Sequence, residues 1–83
     1  MSKAGKLLQR LKSLPRDFTW DDLKSVMSQH GFELHTGAGS ARKFIYKKTN
    51  YPFAIHEPHP GSIMKPYALK AAVSALKDVG EID

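Results

Sequence analysis

Apolar positions along the chain follow two periods, and the switch between them outlines the fold. From Gly5 to Leu14, the residues Leu7, Leu8, Leu11 and Leu14 recur at helical spacing, with Lys6, Arg10, Lys12 and Ser13 largely on the other side. That pattern predicts a short amphipathic helix stopped by Pro15. A second helix has a clearer start. Thr19 is a good N-cap, Asp22 stands at N3, and Asp21 and Asp22 both suit the positive end of the helix dipole. Its apolar stripe is Trp20, Leu23, Val26 and Met27, and Gly31 is the expected stop.

The period then drops to two. Phe32 to His35 alternates apolar and polar, as does Arg42 to Lys47, where Phe44 and Tyr46 share one face and Lys43, Ile45 and Lys47 the other. Thr36 to Ser40 and Lys48 to Asn50 read as turns. Phe53 to His56 is a third strand, with Phe53 and Ile55 toward the core and Ala54 and His56 away from it. Glu57 to Pro66 is a proline-rich loop, and Pro66 opens a last helix whose buried stripe is Leu69, Ala72, Val73 and Leu76, closed by Gly80. The predicted class is α+β: helix, helix, three strands, helix. Short connections make the strands an antiparallel meander with the helices on one face.

Composition narrows what such a domain does. Eighty-three residues allow one domain, spanning 1–83. Cysteine is absent, which excludes a disulfide scaffold, a thiol nucleophile and a zinc site built on Cys. No apolar run is long enough to cross a bilayer, and the basic N-terminus lacks the apolar stretch of a secretory signal. A cytoplasmic location is therefore expected.

Charge adds a partner class. Lys and Arg number 13 against 8 Asp and Glu, for a net charge of +5. The cations cluster in two acid-free blocks. Residues 1–16 hold Lys3, Lys6, Arg10, Lys12 and Arg16, and residues 37–51 hold Arg42, Lys43, Lys47 and Lys48. Such blocks fit a polyanion, whose counterions each cation displaces, as well as they fit ordinary solvated surface.

Four histidines could move protons near neutral pH. His30 falls at a helix C-terminus, where it complements the dipole, and His35 reads as a plain exposed strand residue. His56 and His59 differ, because they lie in His56-Glu57-Pro58-His59-Pro60-Gly61, where prolines stiffen the backbone around both rings. A pair of imidazoles held this way suits general acid–base work, while the same segment also reads as a polar connector. Two histidines and one glutamate without a helical pair are thin grounds for a metal site, and no cofactor is expected. Gly37-Ala38-Gly39-Ser40 leads into Arg42 and Lys43, so small residues and cations together could receive a phosphate, or simply make a flexible turn. Tyr46, Tyr51 and Tyr67 could stack bases, or pack.

Taken together, the residues from about Phe18 to Gly80 resemble the HicA family of toxins from bacterial toxin–antitoxin pairs. The resemblance lies in Gly31-Phe32-Glu33 after a helix, Gly39-Ser40 followed by Arg42-Lys43-Phe44, then Pro58-His59-Pro60-Gly61, and Lys65 leading into the last helix. The basic first helix and the His-x-Pro-His-Pro form look like one branch of that family. The resemblance implies a core over 18–80 with a fold like the double-stranded RNA-binding domain, preceded by a helical extension over 5–15. It implies a metal-independent endoribonuclease that cuts mRNA and blocks translation, and a HicB-type antitoxin protein as partner. His59 and His56 are then the expected catalytic pair, and Ser40, Arg42, Lys43, Lys47 and Lys65 the expected RNA-phosphate contacts. One position departs from the pattern: where the family usually carries its catalytic histidine after the Gly-Ser turn, this chain has Ala41. Either the histidines of the proline-rich segment take over, or the chain binds RNA without cutting it, or Ala41 marks an inactivated toxin.

Overall fold

The computed structural model describes residues 3–37, 39, 41–58 and 61–82, without the side chains of residues 3 and 4. The elements come in the order α1 (Lys3–Lys12), α2 (Trp20–Gln29), β1 (Phe32–Thr36), β2 (Ala41–Tyr46), β3 (Tyr51–His56) and α3 (Pro66–Asp78). The strands form one antiparallel sheet in the order β1-β2-β3. This is the expected α+β class with the expected element order.

Helix α1 ends two residues before the position read from the apolar pattern. Leu14 takes a left-handed backbone with φ 54°. A residue before proline is pushed out of the α region by the proline ring, so the turn closes first, with Ser13 Oγ donating to the Arg10 carbonyl at 2.7 Å. Helix α2 starts with a full capping box: the Asp22 N–H donates to Thr19 Oγ1 at 3.1 Å and the Thr19 N–H to Asp22 Oδ2 at 3.2 Å. It ends at Gln29 with His30 as C-cap, followed by Gly31, whose φ is +86° and where a Cβ would come within 3.1 Å of the Tyr46 ring. Strand β3 begins at Tyr51 and so includes Pro52, which has no N–H to donate. An edge strand tolerates this loss, and β3 is an edge.

One face of the sheet packs on the helices. Phe32, Phe44, Tyr46 and Ile55 are buried against Trp20, Leu23, Val26 and Met27 of α2 and Ala68, Leu69, Ala72, Ala75 and Leu76 of α3. Leu11, Phe18 and Met64 close the core. Leu11 is fully buried, so α1 contributes to the same core, packing on both α2 and α3. The loop after β3 returns to the start of α2, with Trp20 N–H donating to the Ser62 carbonyl at 2.7 Å and Met64 N–H to the Phe18 carbonyl at 2.8 Å. Helix α3 then runs back under β3, and its end is pinned by two phenols. Tyr51 donates to Asp78 Oδ2 at 2.9 Å, and Tyr46 to Glu81 Oε2 at 2.6 Å. His30, at the end of α2, joins this cluster with Nδ1 3.2 Å from Glu81 Oε1. The two ends of the sheet are thus distinct. Tyr46 and Tyr51 mark one, and Ala41, Thr36 and His56 mark the other.

Candidate nucleic-acid interface on the sheet

Strand period and register determine which polar residues meet. In β2, Arg42, Phe44 and Tyr46 point toward the helices, whereas Ala41, Lys43 and Ile45 point away. The antiparallel pairing sets His35 opposite Lys43, Lys43 opposite Ala54, and Ala41 opposite His56. Directly opposed residues have Cβ atoms about 4.5–5.5 Å apart, and diagonal ones about 7–8 Å. His35, Lys43, Ala41 and His56 therefore form one patch on the outer face, and all four are exposed. No helix packs on this face among the described residues.

Arg42 and Lys43, read from the sequence as one cationic pair, part company here. Lys43 stands on the open face. Arg42 leaves on the helix side and is held fast. Its Nε and Nη2 both lie 3.1 Å from Glu57 Oε1, and its Nη1 donates at 2.8 Å to the carbonyls of Gly39 and Ala41. Its side chain is 18% exposed against 38% for Glu57. The guanidinium fork ties the β1–β2 turn to the exit of β3, which positions Ala41 and His56 side by side.

The remaining candidates spread out. Lys65 is exposed at the N-cap of α3, at the same end of the molecule as His56, because α3 runs antiparallel to β3. Lys47 lies past the far end of β2, roughly 13 Å along the strand from Lys43 at about 3.3 Å per residue. Ser40 and His59 lie outside the described residues. Of the tyrosines, Tyr46 and Tyr51 are occupied by the carboxylates at the end of α3, and Tyr67 is 70% exposed on its first turn. Among the described residues no group of three or more His, Asp or Glu is placed to hold a metal ion.

His35 is exposed on the outer side of β1, as its alternation places it. Its ring lies on the open face opposite Lys43, with Nε2 3.7 Å from Glu33 Oε1. Alternation alone put it on the polar side of β1. Only the pairing register brings it beside Lys43.

These features define a small α+β domain with one covered sheet face and one open face bearing imidazoles and a cation. The family model described as HicA toxin of bacterial toxin–antitoxin matches residues 20–80. The chain belongs to the HicA toxin family. No curated protein and no solved structure is matched. The match begins at the first residue of α2, so α1 lies before it. No described helix is long and apolar enough to cross a membrane.

Proposed function

We propose that this protein is the toxin of a toxin–antitoxin pair and acts as a metal-independent endoribonuclease on mRNA in the cytoplasm, held in check by a HicB-type antitoxin. The carrying observation is the placement of His56 directly across from Ala41 and diagonal to Lys43 on an open sheet face. Ala41 stands where the family usually has its catalytic histidine, and His56 carries an imidazole opposite it on the next strand.

In this reading His59, three residues beyond His56, takes the proton of a ribose 2′-OH. The 2′ oxygen forms a bond to the adjacent phosphorus, the bond from phosphorus to the 5′ oxygen breaks, and His56 gives that oxygen a proton. The products are a 2′,3′-cyclic phosphate and a 5′-OH. Lys43 meets the charge that grows on the phosphoryl oxygens, the kind of electrostatic contribution that is often largest. Arg42 acts mainly by holding the turn, and Ser40 and Lys65 are further phosphate contacts. Lys47 touches RNA away from the bond that breaks. Loss of a positioned acid or base costs about 10²–10⁴ in rate. The test is cleavage of single-stranded RNA by the purified protein in EDTA. His56→Ala and His59→Ala should each nearly abolish it with RNA affinity retained, and a 2′-O-methyl substrate should stay intact. Unaltered cleavage by both variants would remove the assignment.

Ala41 also favours a second reading, RNA binding without cleavage. It predicts salt-sensitive binding and no products at any pH, and products from Ala41→His but not from the parent would identify it.

A further inference from the structure

The sheet has one guarded edge and one open edge. Strand β3 carries Pro52, which has no N–H to offer a further strand. Strand β1 is the other edge and carries no proline. The Gly37 N–H donates to the Ala41 carbonyl and the Lys47 N–H to the Gly31 carbonyl, both at 3.0 Å. With Glu33 paired to Ile45 and His35 to Lys43, these bonds set the ladder, and the odd-numbered residues of β1 turn their backbone groups toward β2. Phe32, Leu34 and Thr36 therefore turn theirs outward. Among the described residues no other element hydrogen-bonds them. The side chains alternate as well. Phe32 and Leu34 lean toward the helices, while Glu33 and His35 stand exposed on the open face. Leu34 is only partly covered by the core.

We propose that this edge receives a second copy of the chain, β1 against β1 and antiparallel, about a two-fold axis through Leu34. The strand's own charge order selects that arrangement. Outward backbone groups bond only when even-numbered residues face even-numbered ones. With Leu34 opposite the partner's Leu34, Phe32 faces the partner's Thr36, and Glu33 faces the partner's His35 on both sides of the axis. Slipping the partner by two residues sets Glu33 against the partner's Glu33, or His35 against the partner's His35. Carboxylates placed opposite each other repel, whereas an imidazole N–H donates to a carboxylate in either protonation state. Glu33 and His35 already approach to 3.7 Å within one copy, so the exchange to a partner needs only small side-chain movement. The half-covered Leu34 meets its own twin on the helix side. The axis stands perpendicular to the sheet, so the open faces of both copies join into one surface, with each Lys43 one strand in from the seam. This contact does not depend on whether the protein cuts RNA.

A strand of five residues offers less than the standard stable interface of about 1,600 Å², so the association is weak and concentration-dependent. Sedimentation equilibrium of the full chain from about 10 µM to about 1 mM, at about 0.15 M ionic strength, should show the average mass rising from monomer toward dimer. Glu33→Lys should weaken association about fivefold or more, because both cross-strand pairs lose their carboxylate. Combining Glu33→Lys with His35→Glu exchanges the charges and should restore association to within about twofold of the parent. Both positions are exposed, and circular dichroism checks that each variant keeps the fold. The chain has no cysteine, which permits a test of register. Glu33→Cys mixed with His35→Cys should form a disulfide-linked mixed dimer on mild oxidation, and either variant alone should form far less. A monomer at every concentration overturns the proposal and leaves the edge to a strand of a different protein. A dimer indifferent to the charge exchange, or one without the mixed crosslink, also overturns it and puts the contact on another face.

Discussion

The phenol of Tyr46 donates a 2.6 Å hydrogen bond to Glu81, a residue 35 positions further along the chain. That bond joins the end of the central strand to the segment just past α3, and His30 at the end of α2 shares the same carboxylate. It lowers the Glu81 pKa below the ordinary 4.5; the contacts with His30 and the charge of Lys48 act in the same direction, and burial opposes them. The same bond raises the Tyr46 pKa above 10.0.

Those directions determine the pH dependence. A carboxylate with a lowered native pKa stabilises the fold fully above its unfolded value and loses that contribution as pH falls through the native value. A phenol with a raised native pKa stabilises the fold below its unfolded value and loses the contribution as pH rises through the native one. Glu81→Gln should therefore melt a few degrees below the parent near neutrality, and the gap should close on acidification below the carboxylate range. Thermal denaturation across pH checks this, and a gap that widens in acid would contradict it.

Leu11 is fully buried although α1 lies before the family match. Leu11→Ala should destabilise the whole domain by about 2–5 kcal/mol, the cost of the lost transfer energy and the cavity left behind. Urea denaturation followed by Trp20 fluorescence, which reports from α2, measures it. A change under about 1 kcal/mol would mean that α1 docks loosely and the domain folds without it.

Lys43 and Lys47 are separated by the length of the sheet, and their substitutions should separate too. If the protein cuts RNA as proposed, Lys43→Ala should lower the cleavage rate by about tenfold or more, because the proposal has its ammonium offset the charge growing on the phosphoryl oxygens. Lys47→Ala should leave the rate within about twofold and only weaken binding, reducing the salt slope by about 0.7 for one lost contact on a single strand. Single-turnover rates and salt titrations of both variants decide it, and equal rate losses would argue against the site's location.

Arg42 and Glu57 form a double contact that closes the turn before β2. A thermodynamic cycle through Arg42→Ala, Glu57→Ala and the double variant should give a coupling of about 0.5–1 kcal/mol, at the upper end for a partly exposed pair. Arg42→Lys should not restore stability, because an ammonium lacks the fork that reaches Glu57 and two carbonyls together.

Much of this architecture was legible in one dimension. The capping box at Thr19, the stop at Gly31 and the alternation through Phe44 and Tyr46 are local signals, since each depends on residues within a turn or two of chain. The apolar stripes of α2 and α3 were likewise visible, because burial follows helical period. The element order and the α+β class follow from these patterns, and the run of motifs from Gly31 to Lys65 carried the family resemblance.

Proximity between strands is not a local property. Nothing in the chain's pattern put His35 beside Lys43 or His56 beside Ala41, because a one-residue change of register would turn every side chain of a strand to the other face. Nor did adjacency in sequence keep Arg42 and Lys43 together, since successive residues of a strand leave on opposite sides. The sequence by itself determined which elements form and which of their faces are apolar, because those depend on period and caps. Only the tertiary structure decided which polar residues share a surface, because that depends on how turns set the register and on which face the helices cover.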